Sequence, residues 1–296
     1  MSRKIEIVEV SPRDGLQNEA AVLPVEDRVE LIRRLEAAGA RRVEVVSFVN
    51  ERRMPQMAGA EQIMASLTND PQKRRSGLVL NRRGWDRAVA AGCDEANVVI
   101  TATDGFGLAN QGSTTAEQLA GLAEMKGGPP ISVTIAVAFG CPFEGEVDEG
   151  VVREIAGEIG RLGIGELVLA DTIGVADPWV VRRRLDLVHK AAPGAQLRAH
   201  FHDTRNTGLA NAFAAIEAGV DTLDASVGGL GGCPFAPGAT GNIGTEDLVY
   251  MLDRAGFETS LDLPALIETA RWVCGKLGKA PVSAISRAGG FPVPVR

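Results

Sequence analysis

The stretch that organises the chain is Arg198-Ala-His-Phe-His-Asp-Thr-Arg-Asn-Thr-Gly-Leu-Ala-Asn211, which reads as a β-strand followed by the start of a helix. It holds two of the three histidines among 296 residues, His200 and His202. Side chains two residues apart on a strand point to the same face, so both imidazoles face one way. With Asp203 beside them, they predict either a metal site or a pair of core histidines bonded to backbone groups.

The strand–helix alternation of this stretch runs along the whole chain. Eight short apolar runs read as strands, and they are Ile5–Val10, Arg42–Phe48, Gly77–Asn81, Glu95–Ile100, Ser132–Phe139, Glu166–Ala170, Gln196–Phe201 and Thr222–Val227. Stretches with helical periodicity lie between and after them, and they are Glu26–Ala38, Ala60–Leu67, Gly84–Ala91, Thr115–Met125, Asp148–Leu162, Asp177–Lys190, Leu209–Ala218, Thr245–Ala255 and Leu263–Leu277. Eight such units predict an α/β fold, a (β/α)₈ TIM barrel.

An open doubly wound sheet is the competing fold, but no GxGxxG motif follows the first strand. We expect residues 1–296 to form one domain. The barrel would take about residues 1–260, extra C-terminal helices about 261–288, and a loose tail the last eight residues.

The composition limits the classes of molecule that the protein is expected to bind. The net charge is −7, which argues against nucleic acid or an anionic membrane as a partner. The basic clusters Arg52–Arg53, Lys73–Arg75 and Arg82–Arg83 are either solvated surface or a local patch for an anionic substrate. The N-terminus lacks the apolar core of a signal peptide and no apolar run reaches membrane-spanning length, so we expect a cytoplasmic protein. The four separated cysteines are then expected to be free thiols.

Polar side chains collect where the predicted strands end, which is where the chemistry of a TIM barrel sits. They include Arg13, Asp14, Gln17, Glu44, Asp171, Thr172, His200, His202, Asp224 and, in the loop after the eighth strand, Asn242. The opposite strand ends carry mostly Gly, Ala and turn residues. This convergence favours the metal interpretation of the histidine pair. A ligand set of oxygens and imidazoles suits Mg²⁺ or Mn²⁺, and Arg13 suits a developing oxyanion.

With these residues in place, the chain resembles the DRE-TIM metallolyases, and within them the 3-hydroxy-3-methylglutaryl-CoA (HMG-CoA) lyases. The resemblance runs from the first strand past the eighth. Its motifs are residues 8–19 (VEVSPRDGLQNE), 47–49 (SFV), 55–57 (PQM), 140–145 (GCPFEG), 170–175 (ADTIGV), 200–204 (HFHDT), 229–235 (GLGGCPF), 241–242 (GN) and 245–252 (TEDLVYML).

The resemblance implies a role for each matching residue. The implied metal ligands are Asp14, His200, His202 and Asn242. Implied catalytic residues are Arg13, which would stabilise an enolate, Cys233, the thiol that would protonate it, and Asp14, His200, Glu44 and Asp171. Implied substrate-binding residues are Arg13, Gln17, Thr172 and Asn110.

The implied reaction is the retro-Claisen cleavage of HMG-CoA to acetyl-CoA and acetoacetate, a step of leucine degradation, by a homodimer that uses a divalent cation. The same chemistry on a 3-alkylglutaryl-CoA or on citramalyl-CoA is the alternative. A condensing synthase of the isopropylmalate or citramalate type shares the Arg-Asp and HxH motifs but usually has a long C-terminal extension. A catalytically inactive barrel that serves as a binding partner is the fourth hypothesis.

Four stretches depart from the pattern of the lyases and leave the acyl group of the substrate open. Thr134 stands where many members have a tyrosine, and Arg205-Asn206 follow the histidine pair in place of Tyr-Gly. Asp104 and the stretch 50–53 (NERR) also differ. Arg205 could meet a substrate carboxylate or cap the nearby helix.

Overall fold

The computed structural model describes residues 3–232 and 241–292, which form a closed barrel of eight parallel strands in chain order. The strands are β1 (Glu6–Glu9), β2 (Arg42–Ser47), β3 (Arg74–Val79), β4 (Glu95–Thr101), β5 (Ile131–Ala136), β6 (Glu166–Asp171), β7 (Gln196–Phe201) and β8 (Thr222–Ala225). The barrel closes where Glu6 of β1 pairs with Thr222 of β8. The predicted (β/α)₈ barrel is therefore confirmed, and the open sheet is excluded.

Eleven helices are found in the described ranges. They are α1 (Val25–Ala37), α2 (Ala60–Ser66), α3 (Arg82–Ala90), α4 (Asp104–Gln111), α5 (Thr115–Glu124), α6 (Glu149–Arg161), α7 (Pro178–Ala191), α8 (Gly208–Glu217), α9 (Thr245–Arg254), α10 (Leu263–Lys276) and α11 (Ala284–Ala288). None of them is long and apolar enough to cross a bilayer. Local sequence explains their ends: Asp177 accepts two backbone N–H bonds at the start of α7, and Pro178 occupies its first turn.

Helix α4 was not predicted, because Gly105 and Gly107 are poor helix formers. The two glycines serve close packing instead. A Cβ on Gly107 would lie 2.5 Å from the carbonyl oxygen of Ser113, and one on Gly105 would lie 2.6 Å from Glu144. Glycine is therefore required at 107, where a side chain would collide with backbone, whereas at 105 the neighbour is the end of the Glu144 side chain, which can shift.

Strand β3 begins at Arg74, three residues before the predicted start. Arg75 is buried, and its guanidinium pairs with Glu36 of α1. The ammonium of Lys73 donates to the carbonyls of Glu36 and Ala40. Of the two alternatives left open for residues 73–75, neither a substrate patch nor a freely solvated cluster describes Lys73 and Arg75, since both side chains are used within the fold.

The interior of the barrel is charged towards the N-terminal strand ends, where small and turn residues were expected. Arg42 of β2 pairs with Glu95 of β4 and with Glu166 of β6. Arg198 of β7 lies 3.5 Å from the same Glu166 and pairs with Asp224 of β8. All five side chains are buried. They form one buried chain of alternating charges, which we call the interior ion network, so the expectation for this end of the barrel is wrong.

We predict that Arg42→Met lowers the free energy of unfolding by about 3–5 kcal/mol, because the buried Glu95 loses its Arg42 partner and the buried Glu166 keeps only Arg198. Urea denaturation followed by circular dichroism measures this loss. The matched control is Arg74→Met, which removes a half-exposed guanidinium from Glu6 and should cost less than about 1 kcal/mol. Equal, small losses in both variants would contradict the importance of the interior ion network.

Candidate active site

A cavity of about 1160 Å³ opens at the C-terminal ends of the strands. Seven of the predicted site residues line it, and they are Arg13, Asp14, Gln17, Asn110, Thr172, His200 and His202. Glu44, Asp171 and Asn242 are buried beside it. Cys233 follows Gly232, a residue of the cavity wall, but lies outside the described residues.

Asp14, His200 and His202 form a cluster that could hold a metal ion. Each offers one ligand atom, and these atoms all lie within 4.8 Å of one another. A π-helical turn, Ser11–Gly15, follows β1 and brings Asp14 towards His200 of β7 and His202 directly after that strand. The Nε2 atom of His202 lies 3.7 Å from a carboxylate oxygen of Asp14. Two segments distant in sequence thus converge on one point.

Asn242 completes a donor set that fits a hard divalent cation. Its Nδ2 donates to Asp14 at 2.7 Å and to the carbonyl of Leu230 at 3.0 Å. Its Oδ1 is buried and has no hydrogen-bond partner within residues 3–232 and 241–292. A buried carbonyl oxygen without a donor is costly unless something satisfies it. A cation bound at the cluster would supply that partner.

Two glycines let the backbone pass close to Asn242. Gly231 has φ of +127°, and a Cβ there would lie 2.6 Å from the Nδ2 atom of Asn242. Gly241 has φ of +98°, and a Cβ there would lie 2.6 Å from the carbonyl oxygen of Gly231. Only glycine tolerates both the dihedral angle and the approach. The two residues therefore fix the position of Asn242 beside the cluster.

Nearby positive charge keeps the carboxyl group of Asp14 ionised. Burial alone would raise the pKa of its carboxyl, but the adjacent Arg13 guanidinium and the two imidazoles outweigh burial and hold that pKa well below its usual range. Asp14 is therefore an anion at neutral pH.

Arg13 is clamped at the cavity wall by carboxylates on both sides. Its Nε donates to Glu44 at 2.7 Å and its Nη1 to Asp14 at 2.6 Å. Glu44 also accepts from the amide of Asn97 at 2.9 Å, and the hydroxyl of Thr134 donates to that amide's oxygen at 2.8 Å. Glu44 is fully buried and does not line the cavity. Its contact with the site is therefore through the guanidinium of Arg13, which it orients.

Asn97 was missed at the sequence level. It lines the cavity from the middle of β4 and connects Thr134 to Glu44. The signal that could have found it is its polarity at an inward-facing position of an otherwise apolar strand.

Asp224 was noted at the end of β8 but given no role. One of its carboxylate oxygens lies 3.0 Å from Nδ1 of His200, and the other accepts from Nε of Arg198. Burial would raise the pKa of Asp224, but Arg198 and His200 lower it to below its usual value. His200 thus joins the Asp14–His200–His202 cluster to the interior ion network.

Asp171 and Thr172 shape the loop that follows β6. The carboxylate of Asp171 accepts the backbone N–H groups of Val175 and Ala176, and burial raises its pKa despite these bonds. The hydroxyl of Thr172 accepts the N–H of Val137 while the residue lines the cavity. The side chain of Asp171 therefore supports a wall of the cavity from behind.

The expectation that Arg205, Asn206 and Asp104 alter the cavity lining is wrong. None of them is among the described residues of the cavity wall, whereas Thr134 is. Arg205 donates to the carbonyls of Ile173 and Gly174, so it braces the loop after β6. The residues at 50–53 do line the cavity.

The remaining basic clusters, residues 52–53 and 82–83, also lie partly on the cavity wall and partly away from it. Arg52, Arg53 and Arg83 lie on the cavity wall and are exposed. Arg82 pairs with Asp86 on the surface of α3. One rim of the cavity is therefore positively charged although the protein as a whole is acidic.

Glu246 of α9 binds the backbone at the start of the glycine-rich loop that follows β8. Its carboxylate accepts the backbone N–H of Gly228 at 3.0 Å and the hydroxyl groups of Ser283 and Ser286. Burial raises the pKa of Glu246 to about 7.

Comparison with known proteins places the chain among enzymes. Residues 4–273 match the family model described as HMGL-like. The chain is 44% identical over 300 residues to (R)-citramalyl-CoA lyase of Chloroflexus aurantiacus, covering 96% of this chain and 95% of the relative. It is 37% identical to the cytoplasmic 3-hydroxy-3-methylglutaryl-CoA lyase of Mus musculus, and the alignment covers 96% of this chain and 84% of the relative.

The solved structures include an HMG-CoA lyase from Acinetobacter baumannii in complex with coenzyme A and 3-methylmalate. Its TM-score is 0.93 at 40% identity, and the alignment covers 98% of each chain.

We predict that Glu246 makes stability fall between pH 4.5 and pH 7. Its pKa is higher in the folded protein than its ordinary value of 4.5. The unfolded chain therefore loses its proton first as the pH rises, and the folded state is disfavoured by about 3 kcal/mol once the pH exceeds 7.

Urea unfolding of the wild type and of Glu246→Gln at pH 5 and pH 8 tests this prediction. The variant should lose less stability between the two pH values than the wild type, and the exposed control Glu217→Gln should behave like the wild type. Identical pH slopes in all three proteins would contradict it.

Proposed function

The chain belongs to the HMGL-like family, and on that premise we propose that it is a divalent-metal-dependent carbon–carbon lyase acting on HMG-CoA. The products would be acetyl-CoA and acetoacetate. The observation that carries the proposal is the convergence of the Arg13 clamp and the Asp14–His200–His202 cluster on one cavity. A bond cleavage that forms an enolate needs a fixed positive charge and a site that binds the leaving keto group. Arg13 and the Asp14–His200–His202 cluster are the residues that we assign to these two roles.

We infer that Asp14, His200, His202 and Asn242 bind Mg²⁺ or Mn²⁺. Oxygen and imidazole donors without thiolates suit these ions. When bound, the cation would supply Lewis acidity to the hydroxyl and carboxylate oxygens of the substrate. The buried, unpartnered oxygen of Asn242 supports this choice of fourth ligand.

Each step of the proposed cleavage is assigned to particular residues. The cleavage begins when a group of the Asp14–His200–His202 cluster takes the proton of the tertiary hydroxyl. The carbon–carbon bond breaks, the hydroxyl carbon becomes a ketone, and the electron pair moves onto the thioester carbonyl. Arg13, oriented by Glu44, stabilises the resulting oxyanion. Cys233 would return a proton to the methylene carbon and so complete acetyl-CoA.

Substrate placement is assigned to residues of the cavity wall. Gln17, Asn110 and Thr172 offer polar groups there, and Gln17 has a buried side-chain oxygen without a partner in the described chain. Asp171 holds the loop that carries Thr172. The homodimer, the cytoplasmic location and the part in leucine degradation stay predictions that rest on the family resemblance.

Citramalyl-CoA is the second candidate substrate, and it would give acetyl-CoA and pyruvate. Two observations favour it. The chain is 44% identical to a citramalyl-CoA lyase, and a solved relative holds 3-methylmalate, which like citramalate is a methyl-substituted malate of five carbons. Citramalyl-CoA lacks one methylene of HMG-CoA. A difference of that size is worth about 10–200-fold in kcat/KM, so one lyase site can prefer either.

We expect metal-replete protein to release acetyl-CoA from at least one of a panel of HMG-CoA, (R)- and (S)-citramalyl-CoA and a longer 3-alkylglutaryl-CoA. Activity should disappear after EDTA treatment and return with Mg²⁺ or Mn²⁺. A preference for HMG-CoA supports the first candidate, and a preference for citramalyl-CoA the second. Cleavage of none of them would contradict the proposed function.

We predict that Arg13→Met lowers kcat by about 10²–10⁴, because the developing oxyanion loses its fixed positive charge. Steady-state kinetics on the best substrate measures the change, and thermal melting checks that the fold survives. Arg13→Lys keeps the charge but not the fork between Glu44 and Asp14, so it should retain more activity than Arg13→Met. A loss below tenfold in Arg13→Met would argue against its role.

A further inference from the structure

His200 is the one histidine of the cluster that has a buried acid behind it. Its Nδ1 lies 3.0 Å from Asp224, and both side chains are buried. The parallel register brings them together, because Arg198 of β7 pairs with Thr222 of β8 and Ala199 with Leu223. The contact is therefore fixed by two neighbouring strands of the barrel and not by a loop.

The chemistry of this contact determines the tautomer of His200. An ionised carboxylate only accepts hydrogen bonds, so the Nδ1 atom of His200 carries the proton. In the neutral ring, the form that binds a metal, the Nε2 atom then keeps its lone pair. Metal-ligating histidines commonly use the second ring nitrogen in this way, and the acid behind them fixes the ring and raises its basicity.

Asp224 is itself held from behind. Its second oxygen accepts from Nε of Arg198, a side chain with no exposed surface. Arg198 approaches Glu166, which pairs with Arg42. The carboxylate thus cannot rotate away without leaving buried charges unpaired, and such a loss is strongly unfavourable.

His202 provides an internal contrast. Its Nδ1 atom is buried and has no hydrogen-bond partner within the described part of the chain. No side chain there orients its ring as Asp224 orients that of His200. The two predicted imidazole ligands are therefore unequal, and the rigid one is the one joined to the interior ion network.

We propose that Asp224, braced by Arg198, is a positioning residue that sets the tautomer and orientation of His200 and so tunes metal affinity. The proposal rests on the proposed function, since it concerns the same metal site. Asp224 would act through His200 and would not bind the metal itself.

Metal affinity of the stripped protein tests the proposal without any turnover. Isothermal titration with Mn²⁺ should show a Kd about 10–100-fold weaker in Asp224→Asn than in the wild type. The matched control is Glu95→Gln, which weakens the interior ion network at Arg42, away from His200. It should melt at a lower temperature but keep wild-type affinity.

A second measurement does not depend on the folding of Asp224→Asn. The chain has three histidines, so the imidazole signals of protein labelled with ¹⁵N-histidine can be assigned with His189→Ala and His202→Ala. In the Mg²⁺-saturated wild type, His200 should carry its proton on Nδ1. Finding the proton on Nε2 would overturn the proposal even if Asp224→Asn fails to fold.

The titration outcomes separate the proposal from the function it rests on. Wild-type protein that binds no Mn²⁺ would refute the metal site itself. Wild-type affinity in Asp224→Asn would overturn the positioning role alone. Equal losses of affinity in Asp224→Asn and Glu95→Gln would also overturn it, because affinity would then follow the integrity of the interior ion network and not the His200 contact.

Discussion

Burial of charge inside the barrel is the constraint on which the rest of the structure depends. A TIM barrel usually fills its interior with branched apolar side chains, but here Glu166 and Asp224 are buried there. They are tolerable only because Arg42 and Arg198 neutralise them. The same pairing fixes the distances between strands that are not neighbours in sequence. The interior ion network is thus both a stability risk and a rigid support for the residues above it.

The site stands on two such supports. One passes from Arg198 through Asp224 to His200, a member of the proposed metal site. The other passes from Glu44 to Arg13, the proposed partner of the oxyanion. In both, a buried ionic contact orients a side chain that faces the cavity, which is how an enzyme prepares an electrostatic environment before the substrate arrives. The arrangement explains why polar residues occur so deep in the barrel.

Sequence reasoning predicted the fold and the shared orientation of the histidine pair because both follow local rules. Alternating strands and helices predict the barrel, and a spacing of two places His200 and His202 on one face. The partners behind the site were not predictable in the same way. Asn97 of β4 contacts Glu44 of β2, and Asp224 of β8 contacts His200 of β7. Such contacts between strands depend on strand register and tilt, which local sequence does not encode. The contact of Arg205 was not predictable for the same reason. Arg205 follows the histidines in sequence, but its guanidinium donates to a carbonyl of the loop after β6.

The position of a bound cation tests the central claim most directly. Crystals of EDTA-stripped protein soaked in Mn²⁺ can be measured at the manganese absorption edge. The account predicts one strong anomalous peak in the cavity, coordinated by Asp14, by Nε2 of His200, by His202 and by the Oδ1 atom of Asn242. A cavity without a peak, or a peak whose ligands exclude both histidines, would contradict it.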